Sequence, residues 1–303
     1  MAEPYDAIVV GGGPAGLSAA IYLARSLRRT LVLDRGGGRW DGLQVTENYL
    51  GFPQGIAARE LRARGVEQAR RFGADFEPLE VSRIGRADPG FTVETDGGMR
   101  RARTVVLATG VTDRYPDVPG WPPFEGAGLH WCLYCDGYLA RGRPAAVVGA
   151  DEASAVEALQ LRRFTDRVTL VAPEPPSWSA RRDAALARAG IAVVEGAVER
   201  LEAGEERRLS GLRLRGGRRV SVEVAFVHQP GRPNSDLARD LGVARSTEGY
   251  VKVDSEQRTS APRVYAAGDV TRLHSHQVVT AAHEGATAAV SANFDLLPPD
   301  ARP

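Results

Sequence analysis

The 303-residue sequence predicts an α/β fold, and three observations carry that expectation. An apolar run near the N-terminus breaks into a glycine-rich turn and then a helical pattern. A second apolar run breaks the same way at Gly149. Two further buried-strand runs, Thr104 to Leu107 and Val264 to Ala267, end in small residues at Gly110 and Gly268. Strand, glycine turn and helix in that order is the opening of a βαβ unit, and its appearance twice, a whole domain apart, predicts two such units and not a solenoid repeat.

Taken in order, Ala7 to Val10 reads as a buried strand, Gly11-Gly12-Gly13-Pro14-Ala15-Gly16 as the turn and Leu17 to Arg25 as the helix. Thr30 to Leu33 is the next strand, closed by Asp34. Gly11 permits the tight turn, Gly13 lets backbone approach a pyrophosphate at the helix N-terminus, and Gly16 lets the helix pack on the strand. Asp34 is placed to accept hydrogen bonds from a ribose. Thr104 to Gly110 and Val264 to Asp269 are the later strands, the second ending in a carboxylate.

Composition fits an ordinary globular protein: 43% hydrophobic, 25% charged, formal net charge +1. One lysine, Lys252, stands against 38 arginines scattered over helical faces and turns, so no nucleic-acid surface is expected. No stretch reads as a signal peptide or a membrane span, which leads to the expectation of a cytoplasmic protein. The only two cysteines, Cys132 and Cys135, form one Cys-x-x-Cys followed by Asp136 and Gly137. A lone pair at this spacing points to dithiol–disulfide chemistry. The competing reading is half a zinc site, which needs two more ligands and has only His130 nearby in sequence. Asp136 reads as an acid beside the pair or as a turn or N-cap residue.

Together, the Ala108-Thr109-Gly110 and Tyr265-Ala266-Ala267-Gly268-Asp269 segments, Asn48-Tyr49-Leu50-Gly51-Phe52-Pro53, the Cys132 to Gly137 string and Gly231-Arg232-Pro233-Asn234-Ser235 resemble the low-molecular-weight thioredoxin reductase family, from Asp6 to about Phe294. The resemblance implies two Rossmann-like dinucleotide-binding domains of the three-layer ββα type, the second inserted into the first. The FAD domain is expected over 1–118 and 246–303, and an NAD(P)-type domain carrying the cysteines over 119–245. Turn-rich Tyr115 to Gly120 and Gly242 to Gly249 suit the joins.

For FAD the resemblance implies Gly11, Gly13, Pro14, Ala15, Gly16, Asp34, Arg35, Asn48, Thr109, Gly110, Gly268, Asp269, and the run His276-Gln277-Val278 at the flavin's pyrimidine edge. It makes Cys135 the flavin-facing sulfur, Cys132 the outward nucleophile and Asp136 the proton donor. His283 is a candidate base or an ordinary helix residue; His130, His228 and His274 receive no role. A homodimer is expected, with a thioredoxin-like protein or a small dithiol or disulfide as partner.

The chain departs from the family at its nicotinamide site. The second glycine turn is Gly149-Ala150-Asp151-Glu152-Ala153-Ser154, so an anionic side chain stands where backbone meets pyrophosphate. After Val168 to Val171 come Ala172-Pro173-Glu174 and Trp178 in place of the arginines that hold the 2′-phosphate of NADPH. Arg181 and Arg182 follow as possible substitutes. The expectation is a disulfide oxidoreductase whose NAD(P)H use is doubtful and whose donor is a ferredoxin or a second flavoprotein. The alternatives are a dithiol oxidase using oxygen, a conventional NAD(P)H-dependent reductase, and a non-catalytic FAD-binding regulator.

Overall fold

The structure is a computed structural model that describes residues 3–42, 45–113, 120–227 and 231–302. The chain divides into two compact units, Met1–Thr112 with Gly231–Pro303, and Asp113–Pro230. The first opens with β1 (Tyr5–Val10), α1 (Pro14–Arg25), β2 (Thr30–Leu33), the single-turn α2 (Arg39–Gly42), and the short β3 (Val45–Thr46) and β4 (Ile56–Ala57). It continues with α3 (Ala58–Arg71), β5 (Asp75–Glu77), β6 (Val81–Arg86), β7 (Phe91–Thr95), β8 (Gly98–Leu107) and β9 (Val111–Thr112).

The second unit runs through β10 (Leu129–His130), α4 (Leu133–Asp136), β11 (Ala145–Val148), α5 (Glu152–Leu161), β12 (Val168–Ala172), α6 (Ala180–Arg188) and β13 (Ala192–Glu195). It then forms β14 (Val198–Ala203), β15 (Leu209–Leu214) and β16 (Arg219–Val220), and returns through β17 (Val224–Val227). The first unit resumes with β18 (Arg232–Pro233), α7 (Asp236–Asp240), β19 (Val264–Ala266) and α8 (Val278–Leu296).

Alternation along the strands builds the same three layers in each unit. In the first, β5, β2, β1 and β8 lie parallel, with β19 pairing parallel to β8 and β7 and β6 extending the sheet antiparallel. Ala7, Val9 and Val32 face the helices α1 and α8, while Ile8, Val10, Leu31 and Leu33 pack with Ile84, Phe91 and Val93 of β6 and β7. In the second, the parallel sheet runs β10-β17-β11-β12-β13. Ala145 and Val147 face α5, and Ala146 faces Leu212, Leu214 and Val220 of the antiparallel β15 and β16. Near-continuous Val, Ile, Leu and Ala runs follow from strands covered on both sides.

The inserted unit ends earlier than the sequence suggested. Residues 231–245 were expected to lie within it, yet they belong to the first unit. The reason is pairing: Arg232 and Pro233 lie antiparallel to Thr112 and Val111, and Asn234 Nδ2 donates to the Thr109 carbonyl at 2.9 Å. The expected join at Tyr115 to Gly120 falls almost wholly outside the described residues. No helix among the described residues is long and apolar enough to cross a membrane.

Candidate functional site

At the start of α1 the sequence reading becomes geometry. Gly11 has φ +107, and a Cβ there would sit 2.3 Å from the Ala108 carbonyl oxygen, so the turn lies directly against the end of β8. A Cβ on Gly16 would meet the Gly11 oxygen at 1.8 Å. Gly13 is different: nothing lies within 4 Å of where its Cβ would be, and no side chain caps the helix there. An uncovered helix N-terminus beside a side-chain-free position is the form that accepts a phosphate group. Asp34 closes β2 next to this turn, where Gly12 has no room for a side chain against its carboxylate. A cavity of about 210 Å³ bordered by Gly12, Asp34, Arg62 and Phe76 continues from it.

The other residues expected around FAD are in the same unit. Asp269 follows Gly268, whose φ of +81 and closeness to the Ala15 side chain exclude a Cβ. Glu284 of α8, 1% exposed, accepts the Gly268 N–H at 2.7 Å and pairs with Arg272. Asn48 Nδ2 donates to Gln277 Oε1 at 2.8 Å, so two separately chosen positions meet just before α8. Gln277 is the N-cap of that helix and makes no side-chain cap, and Val278 begins it. His276 Nε2 lies 2.8 Å from the Arg272 carbonyl oxygen. Thr109 Oγ1 donates to the Asn234 carbonyl at 2.6 Å, and the Asn234 N–H donates to the Gly110 carbonyl. Arg35 points to Glu80 at the surface, and His283 lies on the exposed face of α8, in the unit that does not contain the cysteines.

Two arginines given no role in the sequence pair with the two acids expected at FAD: Arg62 with Asp34 at 2.6 Å and Arg39 with Asp269 at 2.8 Å. Nothing in a scattered arginine content singles them out. The open glycine turn, the acid at the end of β2 and Asp269 at the end of β19 have the form and chemistry that FAD requires.

In the second unit, Cys132 and Cys135 are joined as a disulfide. Cys132 is the N-cap of α4, and its Sγ accepts the Cys135 N–H at 3.1 Å. Both cysteines are half-buried, while Tyr134 between them is exposed. Asp136 makes no side-chain cap at the helix that follows it. Its Oδ2 instead lies 3.1 Å from Nδ1 of His130, which is 5% exposed and rests against the Phe226 ring. Sequence reading gave His130 no role; the only available signal was a histidine on a strand two residues before the first cysteine. Trp131 Nε1 donates to Glu125, and its ring meets Trp121 edge-on. Among the described residues no cluster of three or more His, Cys, Asp or Glu side chains is arranged to hold a metal.

The second glycine turn is filled by the chain itself. Asp151 is the N-cap of α5, with Oδ1 accepting the Ser154 N–H at 2.8 Å and the Ser154 hydroxyl at 2.5 Å. The segment after β12 folds back onto this turn. Ser177 donates its N–H to the Ala150 carbonyl at 2.7 Å, and Ser179 donates its N–H to Glu152 at 2.9 Å. Arg182 binds Glu152 at 2.6 Å, and together the Ser179 N–H and the Arg182 guanidinium hold that carboxyl below the usual glutamate range. Arg182 is thus engaged at the turn, whereas Arg181 and Glu174 are exposed.

A two-unit ββα architecture with a dithiol pair beside an acid defines a flavin-dependent disulfide oxidoreductase. The chain belongs to the pyridine nucleotide-disulphide oxidoreductase family, whose model matches residues 5–285. It is 34% identical over 300 residues to the thioredoxin reductase of Treponema pallidum, covering 96% of this chain and 97% of that one. The thioredoxin reductase structure from Streptococcus pyogenes superposes with a TM-score of 0.90 at 28% identity, over 96% of this chain and 98% of that chain. The crystal structure of HlmI does so with 0.89 at 33% identity, over 97% and 92%. The protein is therefore a thioredoxin reductase-like disulfide oxidoreductase, and its family implies FAD.

Proposed function

We propose that the chain passes electron pairs from its flavin through the Cys132–Cys135 disulfide to the disulfide of a thioredoxin-like protein or a small disulfide, without drawing hydride from NADPH or NADH. The observation that carries this reading is the contrast between the two helix N-termini. That of α1 has no side-chain cap, and that of α5 is capped by Asp151 and overlain by the Ser177 to Arg182 segment. A pyrophosphate at α5 would have to displace a carboxylate from the amide it needs. Arg182, the natural substitute for a 2′-phosphate contact, is bound to Glu152. The donor is then a protein, of ferredoxin or flavoprotein type.

FAD bound at α1 supplies the two-electron store. The chain's own residues do the exchange. The Cys135 N–H directed at Cys132 Sγ favours the thiolate at Cys132, which makes it the sulfur that attacks the partner. Cys135 then closes the internal disulfide and expels the partner's thiol. Asp136 stands next to Cys135 as the proton donor.

Anaerobic mixing of the FAD-loaded protein with NADPH and with NADH tests this, following flavin absorbance. The oxidised spectrum is expected to persist at micromolar coenzyme and to bleach with dithionite. Rapid bleaching by either coenzyme would restore a conventional reductase. Oxygen uptake driven by a small dithiol, with no disulfide reduction, would assign the opposite direction of flow.

A further inference from the structure

We propose that His130 is the positioning residue of the exchange step: it orients Asp136 and stores the proton that Asp136 delivers to the departing thiolate. The inference rests on the redox role of Cys132–Cys135 proposed above. It starts from the 3.1 Å contact between His130 Nδ1 and Asp136 Oδ2, and from the near-complete burial of the imidazole against a carboxylate that is 30% exposed. A carboxylate offers only lone pairs, so Nδ1–H is the donor. Half-open Asp136 can meet a partner, while buried His130 cannot.

The backbone holds both groups firmly. His130 lies on β10 opposite Phe226 of β17, and Asp136 ends α4, whose Leu133 is packed with Ala155, Ala158 and Leu161 of α5. No charged side chain comes from Val224–Val227 or Ala145–Val148. The titratable and charged groups carried by neighbouring elements include Glu152 and Glu157 on α5, Glu125 at the Trp131 ring, Tyr134 on α4, and Tyr138 with its Arg141 partner.

The pair solves a supply problem. A carboxyl group in water titrates near about pH 4, so at neutrality only about one in a thousand carries a proton, whereas imidazole titrates near about 6.5. A carboxylate joined to an imidazole has beside it a second group able to carry a proton, which a lone carboxylate lacks.

The reduced protein starts with Cys132 as thiolate, Cys135 as thiol and one proton on the His130–Asp136 pair. Cys132 attacks one sulfur of the partner disulfide; the new mixed disulfide forms, the partner S–S bond breaks, and the leaving thiolate takes the proton from Asp136. The emptied pair then accepts the Cys135 proton as Cys135 attacks Cys132. The internal disulfide forms, and the second leaving thiolate takes that proton. Two electrons have moved from the protein's dithiol to the partner, with one proton from Cys135 and one from the His130–Asp136 pair, which the next reduction must refill.

The test uses two disulfides that differ in their need for an acid. Bis(2-hydroxyethyl) disulfide leaves a basic alkyl thiolate that must be protonated, whereas 5,5′-dithiobis(2-nitrobenzoate) leaves an aromatic thiolate that is stable unprotonated. FAD-loaded protein, reduced anaerobically with one equivalent of dithionite, is mixed with each, and flavin reoxidation is followed between about pH 5.5 and 9. His130→Asn retains an N–H donor to Asp136 but cannot store a proton. It is expected to slow the alkyl disulfide roughly tenfold or more at neutral pH while changing the aromatic one less than about twofold. Equal slowing of both disulfides, or of neither, overturns the proposal. Should the variant fail to hold FAD, the wild-type ratio of alkyl to aromatic rates decides alone: it must fall as pH rises from about 5.5 to 9 and the stored proton is lost, and a flat ratio overturns the inference. Wild-type protein that exchanges with neither disulfide would instead remove the parent reading.

Discussion

Replacing Asp151 with glycine separates the two effects of its carboxylate. Without coenzyme, the side chain caps α5 through the Ser154 N–H and hydroxyl. Glycine at an N-cap gives up only a few tenths of a kcal/mol. Ser154 is fully buried, and its orphaned hydroxyl adds roughly 1 kcal/mol. The unfolding midpoint of the FAD-loaded protein should therefore fall by only a few degrees. With coenzyme the sign reverses. A carboxylate about 4 Å from a phosphate is opposed by roughly 4 kcal/mol at an effective dielectric near 20, about a thousandfold in affinity, and rotation of the side chain makes this a ceiling. Removing it should let millimolar NADPH or NADH raise the midpoint of the variant, by an amount equivalent to about 2.7 kcal/mol when ligand is a hundredfold above Kd. Asp151→Asn, which retains an acceptor for the cap but not the charge, should fall between. Adding Pro173→Arg and Glu174→Arg should improve NADPH binding beyond either change alone, because both ends of one ligand are then held. Thermal unfolding and anaerobic flavin bleaching, each with and without coenzyme, read the outcome. If wild type is stabilised as strongly as Asp151→Gly, the carboxylate is not the obstacle and the reasoning fails.

At the first turn, Gly13→Ala should fold normally, since nothing lies within 4 Å of the new Cβ, yet be isolated with much less FAD. Gly16→Ala, which meets a backbone oxygen at 1.8 Å, should lose folded yield itself. Flavin absorbance per protein and circular dichroism separate the two, and a colourless wild type that cannot be reconstituted would end the assignment. Cys132→Ser and Cys135→Ser should each abolish disulfide exchange with FAD still bound, and only Cys135→Ser should trap a mixed disulfide with the partner; trapping by Cys132→Ser would exchange the roles. Glu284→Ala strips a buried partner from the Gly268 N–H and from Arg272 and should destabilise by about 3 kcal/mol in urea unfolding, where a change below about 1 kcal/mol would contradict the assigned contacts. The Glu152 carboxyl is held below the ordinary value of 4.5, so its stabilisation is complete above that pH and is lost as pH falls below it. Glu152→Gln should accordingly loosen residues 173–182 at neutral pH, read by faster amide hydrogen exchange there than in wild type.

Strand, turn and helix at residues 5–33 were legible because the glycines do backbone work that no other residue can do. Gly11 and Gly16 abut carbonyl oxygens, and that constraint is written into residue type. Asn48 and Gln277 each stand in a distinctive local string, and their side chains are hydrogen-bonded in the fold. The boundary near residue 230 was misplaced because a two-residue strand, β18, carries no periodic signal; only its partner β9, over a hundred residues earlier in sequence, shows which unit it joins. His130 was invisible for a related reason. A histidine on a two-residue strand reads as core, and its meaning comes from Asp136, which the chain brings beside it only by turning through α4.

On the function proposed above, the second unit is a domain that has given up a ligand and kept its fold. The first amides of α5 require an acceptor whether or not a nucleotide is present, and a glycine in the turn leaves that need to water or to the ligand. Aspartate at that position meets it permanently, and the following turn supplies Glu152 to gather Ser179 and Arg182. Each substitution that disfavours a pyrophosphate thus adds a contact within the protein. The parallel sheet beneath, with Val147, Leu170 and Phe226 fully buried, does not depend on what sits above its edge. The same logic predicts an asymmetry between the two units that is open to measurement. FAD should raise the stability of the first unit strongly, because α1 has no side-chain cap at its N-terminus, while no nicotinamide coenzyme should protect the second. Hydrogen exchange of α1 and α5 peptides, with and without FAD and NADPH, should show protection at α1 only on adding FAD and none at α5 on adding NADPH; protection of α5 by NADPH in the wild-type protein would contradict the argument.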